Sequence, residues 1–299
     1  MSQRQRLRSP QSAALVRAAL AEDLGRGDIT SRAVLPAGAR IRARIAANSP
    51  GVLAGGAVAA AAFRLLDRSI RCRPLLPDGA ALRAGAAILL LDGPAGAIFA
   101  AERTALNLLG HLSGIATLTR AFVRAVPGRV AILDTRKTLP GLRTLEKYAV
   151  RCGGGRNHRR GLDEAVLIKT PHLAVLRRRL PRGGSAVTEA LRLAKARAPG
   201  RFLEIEVSTR AELEAALRAG PHAILLDNWP LRGIRQAVRI RNASGRSGRR
   251  VMLEASGGIT LRRVARFGRT GIDRISIGRL THSAPALDCS LTVVEALNP

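Results

Sequence analysis

Aromatic residues are nearly missing from this sequence: one Trp, one Tyr and five Phe stand among 299 residues. Proteins that grip single-stranded nucleic acid stack bases on aromatic side chains, so that function has little to build on here. Cysteine is equally thin. Cys72, Cys152 and Cys289 lie far apart, form no CxxC pair and make no even-numbered framework. Neither disulfides nor a zinc site are expected, and a reducing cytoplasm fits. Long apolar runs are absent as well. The two best, 48–63 and 104–119, are uncharged but broken by Gly, Pro, Asn, His or Ser, and both fall short of the ~18 residues a membrane helix needs. Arg17, Glu22 and Asp23 occupy the place where a signal peptide would carry its apolar core, which argues against secretion. Acids are few, 21 Asp and Glu against 50 Lys and Arg, for a net charge of +29.

Within that positive charge lysine is rare. Lys137, Lys147, Lys169 and Lys195 are the only lysines, and the other 46 basic residues are Arg. The arginines run through the whole chain, with a modest cluster at 232–250. A preference spread this widely reads as compositional drift that leaves a solvated basic surface, with no specific nucleic acid as partner. A basic nucleic-acid-binding protein stays as a distant alternative. A pocket for a highly acidic small molecule is compatible with the same composition. At 46% hydrophobic and 24% charged, the chain has the apolar material for a packed core, which excludes disorder as its main state.

The second half repeats a pattern. Short apolar runs stop at a polar or small residue: 130–134 (VAILD), 165–169 (AVLIK), 202–207 (FLEIEV), 223–227 (AILLD), 251–256 (VMLEAS) and 274–278 (RISIG). Runs of this length read as strands buried on both faces. Helical patterns lie between them. Residues 209–219 open with a Thr cap and close on Gly220, and 260–267 start at Thr260 and end before Gly268. Strand and helix alternate as in a parallel sheet, and six such units predict a closed or nearly closed α/β barrel, with a doubly wound open sheet as the other architecture. The first hundred residues differ. A helix near 11–22, a turn-rich stretch at 23–31 and short strand-like pieces around 41–47, 51–55 and 86–91 predict a smaller α+β sandwich domain. A helical stretch over 96–125 joins the two. The expected division is 1–112 for the N-terminal domain and 113–299 for the barrel, with the last residues packing back on the first domain.

A parallel barrel keeps its active site at the C-terminal ends of the strands. Those ends carry Asp134-Thr135-Arg136-Lys137, Lys169, Glu206, Asp227-Asn228, Glu254 with Ser256-Gly257-Gly258, and Gly278. Two of the four lysines, Lys137 and Lys169, fall here, where a compact ammonium differs from the guanidinium used elsewhere. The segment 151–161 (RCGGGRNHRRG) joins glycines that permit close backbone approach to His158, Arg159 and other cations. Ser256, Gly257 and Gly258 open a helix whose N–H groups suit an anion. Gly278, with His282 beyond it, follows the last strand, and late strands of such barrels often build a phosphate site jointly. Glu206 and Asp227 end consecutive strands, where paired carboxylates can hold sugar hydroxyls, hold Mg²⁺ or act as acid and base. There is no Walker loop, GxSxG or HExxH. The residues alone thus point to an α/β barrel enzyme with a phosphorylated ligand and a strongly cationic pocket for an anionic co-substrate.

The segments 22–31 (EDLGRGDITS), 102–117 (ERTALNLLGHLSGIAT), 134–161 (DTRKTLPGLRTLEKYAVRCGGGRNHRRG), 166–172 (VLIKTPH), 204–207 (EIEV), 225–228 (LLDN), 254–260 (EASGGIT) and 275–291 (ISIGRLTHSAPALDCSL) resemble the quinolinate phosphoribosyltransferase family, in order and over nearly the whole chain. The resemblance implies a type II phosphoribosyltransferase barrel. It also implies a reaction: quinolinate and phosphoribosyl pyrophosphate give nicotinate mononucleotide, pyrophosphate and CO₂, with Mg²⁺ on the donor and Glu206 and Asp227 as its candidate ligands. It implies a cytoplasmic homodimer or an assembly of dimers, in which Arg103 reaches the neighbouring site. Arg136, His158, Arg159 and Lys169 would face quinolinate, with Thr135 and His282 among the binding residues. Lys137 would face the donor phosphates. Glu206 and Asp227 would hold the ribose and stabilise oxocarbenium charge, making Lys137, Lys169, Glu206 and Asp227 the catalytic set. Ser256, Gly257, Gly258 and Gly278 would cradle the 5′-phosphate. One departure stands out: after Lys169 the family usually has Asp-Asn, and here Thr170-Pro171 stands. It keeps open a paralogous phosphoribosyltransferase of the molybdenum-transport-associated type, against which the intact 134–161 block argues.

Overall fold

The computed structural model of the protein describes residues 10–297. They fall into two compact units. One takes the chain up to Arg120, then Lys137–Gly155, then the chain from Arg279 on; the other takes Ala121–Arg136 and Arg156–Gly278.

The first unit contains a four-stranded antiparallel sheet. β1 (Arg40–Ala47) has Ile41, Ala43 and Ile45 buried while its arginines point outward, where Arg42 pairs with Asp92 and Glu295. It is flanked by β5 (Ala87–Pro94) on one side and β12 (Cys289–Leu297) on the other, and β3 (Arg71–Pro74) lies beyond β5. A second pair, β2 (Gly51–Val52) with β4 (Ala81–Leu82), stands beside helix α3 (Gly56–Leu66) in sequence. The Asp78 carboxylate accepts from the N–H groups of Gly55 and Gly56 and so closes the N-terminus of α3. Helix α1 covers Pro10–Leu24. The turn-rich stretch after it holds a short helix, α2 (Ile29–Val34), started by Asp28, whose side chain accepts from the Ser31 N–H at 3.0 Å. Helix α4 (Ala95–Ala125) is the long connector read from the sequence.

The first unit is assembled from three stretches of the chain. Helix α5 (Arg143–Cys152) belongs with the first unit, because buried Glu146 bonds His111 of α4 at 2.9 Å and the Tyr148 hydroxyl donates to Asp78 at 2.6 Å. β12 joins the same unit through its backbone ladder to β1, from Cys289 opposite Ala47 to Leu297 opposite Arg40.

The second unit is built on six parallel strands. They are β6 (Ala131–Leu133), β7 (Val166–Ile168), β8 (Leu203–Val207), β9 (Ala223–Asp227), β10 (Met252–Ser256) and β11 (Arg274–Ser276). Their order in the sheet is β6-β11-β10-β9-β8-β7. That is the cyclic order of a barrel with one seam, between β6 and β7. At the seam Arg156 makes a parallel bridge with Leu133, its N–H donating to the Ile132 carbonyl at 2.8 Å. Helices α6 (Thr170–Arg177), α7 (Ala186–Arg197), α8 (Arg210–Ala219), α9 (Leu231–Ala243), α10 (Gly245–Arg249) and α11 (Leu261–Gly268) connect the strands, and α12 (Arg279–His282) follows β11 in the first unit. Helix α8 has the ends its sequence announced. Thr209 accepts from the Glu212 N–H, and Gly220 takes a φ of 64°, a left-handed stop that glycine adopts without strain.

The central strands are buried on both faces, as expected, but the inner face of two of them is charged. In β8 Leu203, Ile205 and Val207 alternate with Glu204 and Glu206, and in β10 Leu253 and Ala255 alternate with Glu254 and Ser256. The aliphatic side chains are buried, while the carboxylates converge on the opposite face. Among the described residues no helix is long and apolar enough to cross a membrane.

Candidate active site

Strand pleating sends alternate residues to one face, so Glu204 and Glu206, Leu225 and Asp227, Glu254 and Ser256, and Arg274 and Ser276 share the inner face of the second unit. The ladder registers level them: Glu206 lies opposite Leu225, Ser256 opposite Asp227 and Glu254 opposite Arg274. Two tiers result, a buried floor and an open rim.

The floor is a charged cluster. His158 Nε2 lies 3.0 Å from Glu204 Oε2 and 3.6 Å from Glu254 Oε1, and Arg274 reaches Glu254 at 2.8 Å. Glu204 is 1% exposed and Glu254 0%. Burial pushes the Glu254 carboxyl up to about 7, and the charge of Glu204 adds to that, while Arg274 and His158 pull it back. His158 Nδ1 accepts the Arg159 N–H at 2.8 Å. A neutral imidazole with Nδ1 as acceptor carries its proton on Nε2, which here faces the carboxylates. The three ligand-type atoms of His158, Glu204 and Glu254 lie within 4.8 Å of one another, yet a metal would need the lone pair that this proton occupies. The cluster is a buried ion-paired group in which the oxygens of Glu204 and Glu254 and Arg274 Nε lack a well-aligned hydrogen bond. Its position follows from the segment before it, since Asp134 at the end of β6 accepts from Asn157 Nδ2 at 2.5 Å and from the His158 N–H at 2.8 Å. The seam segment thereby holds His158 toward the buried carboxylates.

The rim is wetter. Lys169, exposed, ends β7 and starts α6, and its N–H donates to His172 Nδ1 at 2.8 Å. Thr170 donates its hydroxyl to Glu206 Oε1 at 2.5 Å, linking the ends of β7 and β8. Pro171 occupies the first turn of α6, where a backbone N–H has no helical acceptor, so the Thr-Pro departure sacrifices no helix bond. Asp227 ends β9 and accepts from Asn228 Nδ2 at 2.9 Å. Asn228 is in a left-handed conformation, φ 59°, and its N–H donates to the Ser256 carbonyl at 2.9 Å. Gly257 is required there: a Cβ on it would sit 2.1 Å from Asn228 Oδ1. Gly258, also at positive φ, faces open space before Thr260 starts α11. Arg136 and Arg159 are half-buried. Arg159 donates to the Ala165 carbonyl at 3.0 Å, and burial, followed by the charge of Arg136, holds its guanidinium below the usual arginine range. Two guanidinium groups kept close in a partly desolvated place favour an anion between or beside them.

The second unit thus brings together Thr135, Arg136, His158, Arg159, Lys169, Glu206, Asp227, Ser256, Gly257, Gly258 and Gly278. Arg103, Lys137 and His282 belong to the first unit. Arg103 is exposed on α4, with no side-chain partner among the described residues. Lys137 is exposed, and its carbonyl accepts from Thr281 Oγ1 at 2.7 Å. His282 Nδ1 lies 2.5 Å from the Ser283 hydroxyl. Glu204, Arg274 and Asn228 were not singled out as site residues from sequence. The alternation E-I-E in β8 was the available signal for Glu204, and the left-handed Asn228 packed against Gly257 at the end of the neighbouring strand leaves no trace in a one-dimensional pattern.

A family model described as quinolinate phosphoribosyl transferase, N-terminal domain, matches residues 28–113, and that of the C-terminal domain matches residues 115–292. The nicotinate-nucleotide pyrophosphorylase (carboxylating) of Mycobacterium leprae (strain TN) is 44% identical over 283 residues, covering 92% of this chain and 95% of that protein. A probable nicotinate-nucleotide pyrophosphorylase (carboxylating) of Bacillus subtilis (strain 168) is 41% identical over 275 residues, covering 91% and 90%. Among solved structures, NadC from Streptococcus pyogenes is 38% identical with a TM-score of 0.85, covering 94% of this chain and 96% of that one.

Proposed function

The chain belongs to the quinolinate phosphoribosyltransferase family, and on that premise we propose that it transfers a phosphoribosyl group from phosphoribosyl pyrophosphate to quinolinate with decarboxylation, the carboxylating nicotinate-nucleotide pyrophosphorylase reaction of NAD biosynthesis. The observation that carries this reading is the rim. Consecutive parallel strands end on Arg136, Lys169, Glu206, Asp227 and the Ser256-Gly257-Gly258 turn, so cations, carboxylates and a helix N-terminus face one opening.

Each group has a role that its chemistry supports. Arg136, Arg159 and Lys169 neutralise the quinolinate carboxylates, with Thr135 beside them. His158, turned toward the buried carboxylates, orients the backbone that carries Arg159. Glu206 and Asp227 hold the ribose hydroxyls and stabilise positive charge at the anomeric carbon as pyrophosphate leaves. Ser256, Gly257, Gly258 and Gly278 receive the 5′-phosphate on backbone N–H groups. Lys137 and His282 serve the donor phosphates, and Lys137 and Lys169 complete the catalytic set with the two rim carboxylates. Loss of CO₂ leaves an electron pair on the ring carbon next to the alkylated nitrogen, which the adjacent positive nitrogen stabilises.

Mg²⁺ fits this rim. Glu206 and Asp227 offer the oxygen donors that a hard cation selects, and the floor cluster, with its proton on His158 Nε2 and its Arg274 partner, does not. Held by the donor and these two carboxylates, the ion would supply charge neutralisation of the leaving pyrophosphate.

The enzyme works as a cytoplasmic homodimer or an assembly of dimers. Arg103, exposed and without a partner in its own chain among the described residues, reaches the neighbouring subunit's quinolinate. Release of CO₂ from carboxyl-labelled quinolinate, dependent on both phosphoribosyl pyrophosphate and Mg²⁺, is the direct test. Turnover of nicotinate at the same rate would refute the dianion pocket, because a missing carboxylate leaves desolvated cations unpaired. The shared site has its own test. Arg103→Ala and Lys169→Ala, each nearly inactive, are co-folded in equal amounts; about half the dimers are mixed, and about a quarter of all sites are intact. Recovery to about a quarter of wild-type activity supports sharing, and no recovery with mixed dimers present rejects it.

A further inference from the structure

The outer wall of the second unit carries one composition in two arrangements. On α6 to α8 three of the five arginines are answered. Arg192 pairs with Glu189 at 2.7 Å, Arg210 with Glu214 at 2.7 Å, and Arg177 with Glu212. On α9 and α11 they are not. Residues 228–272 contain eleven arginines and a single acid, Glu254, and that acid is buried on the inner face. Three arginines of the stretch are used internally: Arg241 bonds Asp273, Arg249 donates to the Asn242 carbonyl at 2.8 Å, and Arg263 lies over the Phe267 ring at 5.8 Å. Arg232, Arg235 and Arg239 on α9, and Arg262, Arg266 and Arg269 on α11 and its cap, are exposed and have no ion pair or side-chain hydrogen bond among the described residues. A drift toward arginine explains many arginines. It does not explain why acids persist on α7 and α8 and vanish from α9 to α11.

The six form two rows. Spacings of three and four residues place each set on one stripe of its helix, about one turn apart and roughly 10 Å long. The helices follow β9 and β10, which are hydrogen-bonded neighbours, and right-handed crossovers lay such helices side by side on the same outer surface. Ile234, Val238, Val264 and Phe267 point inward and are buried, and Leu261 at the start of α11 is the one large apolar side chain of the two helices left exposed, at 41%. A single leucine does not make the apolar face that an interfacial helix lays into a lipid surface. No exposed aromatic ring offers a stacking platform for single strands. What remains is a double row of forked cations, matched in chemistry to a run of phosphates.

We propose that the α9–α11 face binds the phosphodiester backbone of double-stranded nucleic acid, without reading sequence and independently of the quinolinate site. The interaction rests on counterion release, so its affinity must fall with salt in proportion to the arginines engaged.

The test measures binding of the full chain to a fluorescent mixed-sequence DNA duplex of twenty base pairs between 50 and 300 mM NaCl. Two triple variants change the net charge equally: R232Q/R235Q/R239Q on the proposed face and R177Q/R192Q/R210Q on the paired wall. The first is expected to lower the slope of log K against log salt by about 3 and affinity near 0.15 M on the order of 100-fold. The second is expected to change affinity by less than roughly threefold, because its arginines are already answered by carboxylates. Both retain quinolinate turnover, which reports folding. Equal losses in the two variants would show that net charge alone is responsible and overturn the proposal, as would an unchanged slope in the first. Tighter binding to a single strand of the same length, or displacement of the duplex by anionic phosphatidylserine vesicles, overturns the assignment to a duplex. Should the first triple not fold, R235Q and R266Q singly are each expected to lower the slope by about 1, and an unchanged slope in both overturns the proposal.

Discussion

The floor and the rim of the six-stranded sheet use the same residue types for opposite ends. On the floor, Glu204 and Glu254 are sealed from solvent and answered by His158 and Arg274. On the rim, Lys169 is exposed, Glu206 and Asp227 are half-exposed, and their partners are small donors, Thr170 and Asn228. Removing one member of a buried, ion-paired set strands its partner in a low dielectric, whereas a rim charge can be satisfied by water until a ligand arrives. The floor should therefore govern folding and the rim turnover.

The largest effect should come from the floor. Glu254→Ala leaves Arg274 buried without its carboxylate, and a loss of about 3–5 kcal/mol of stability is expected, on the scale of a broken buried pair; thermal or urea unfolding reads it. The same residue sets a pH dependence. Because the native state holds the Glu254 proton more tightly than the unfolded chain, stability from this group falls as pH rises from the ordinary carboxyl range near 4.5 through about 7, then levels. Glu254→Gln should flatten that decline, and an unchanged profile would place the titration elsewhere.

Next comes the rim. Lys169→Ala is expected to lower turnover by roughly 10²-fold or more, the scale of losing a charge partner in the transition state, while leaving the unfolding midpoint nearly unmoved. A large stability loss in this variant would erase the distinction between the two tiers. Thr170→Ala removes a single donor from Glu206 and is expected to reduce turnover by about three- to tenfold, seen in kcat with little change in unfolding. The smallest effect is expected outside both tiers. Lys195 donates to the Ala219 carbonyl at the end of α8, at 2.6 Å, so Lys195→Ala should cost about 0.5 kcal/mol in stability and nothing in turnover.

Much of this was legible in one dimension because it is local. The six strands appear within a residue or two of where short apolar runs end in charge. Thr209 and Gly220 bound α8 as cap chemistry requires, and strand-end residues supply the rim, except Glu254, which lies on the buried floor. The family resemblance rests on contiguous blocks such as 134–161, which need no fold to be compared. What stayed illegible depends on closure. Period-2 alternation states that Glu204 and Leu203 face opposite ways, but only the curvature of the sheet decides which face is interior, and here the interior face is the charged one. The last residues were expected to pack back on the first domain, but their pairing as β12 with β1, about 250 residues away, leaves no local mark. The modest arginine cluster at 232–250 was visible in the sequence. The Arg192–Glu189 and Arg210–Glu214 pairs are three and four residues apart and readable on a helix, but only folding set Glu212 against Arg177, since that pairing is a property of distance in space and sequence records only distance along the chain.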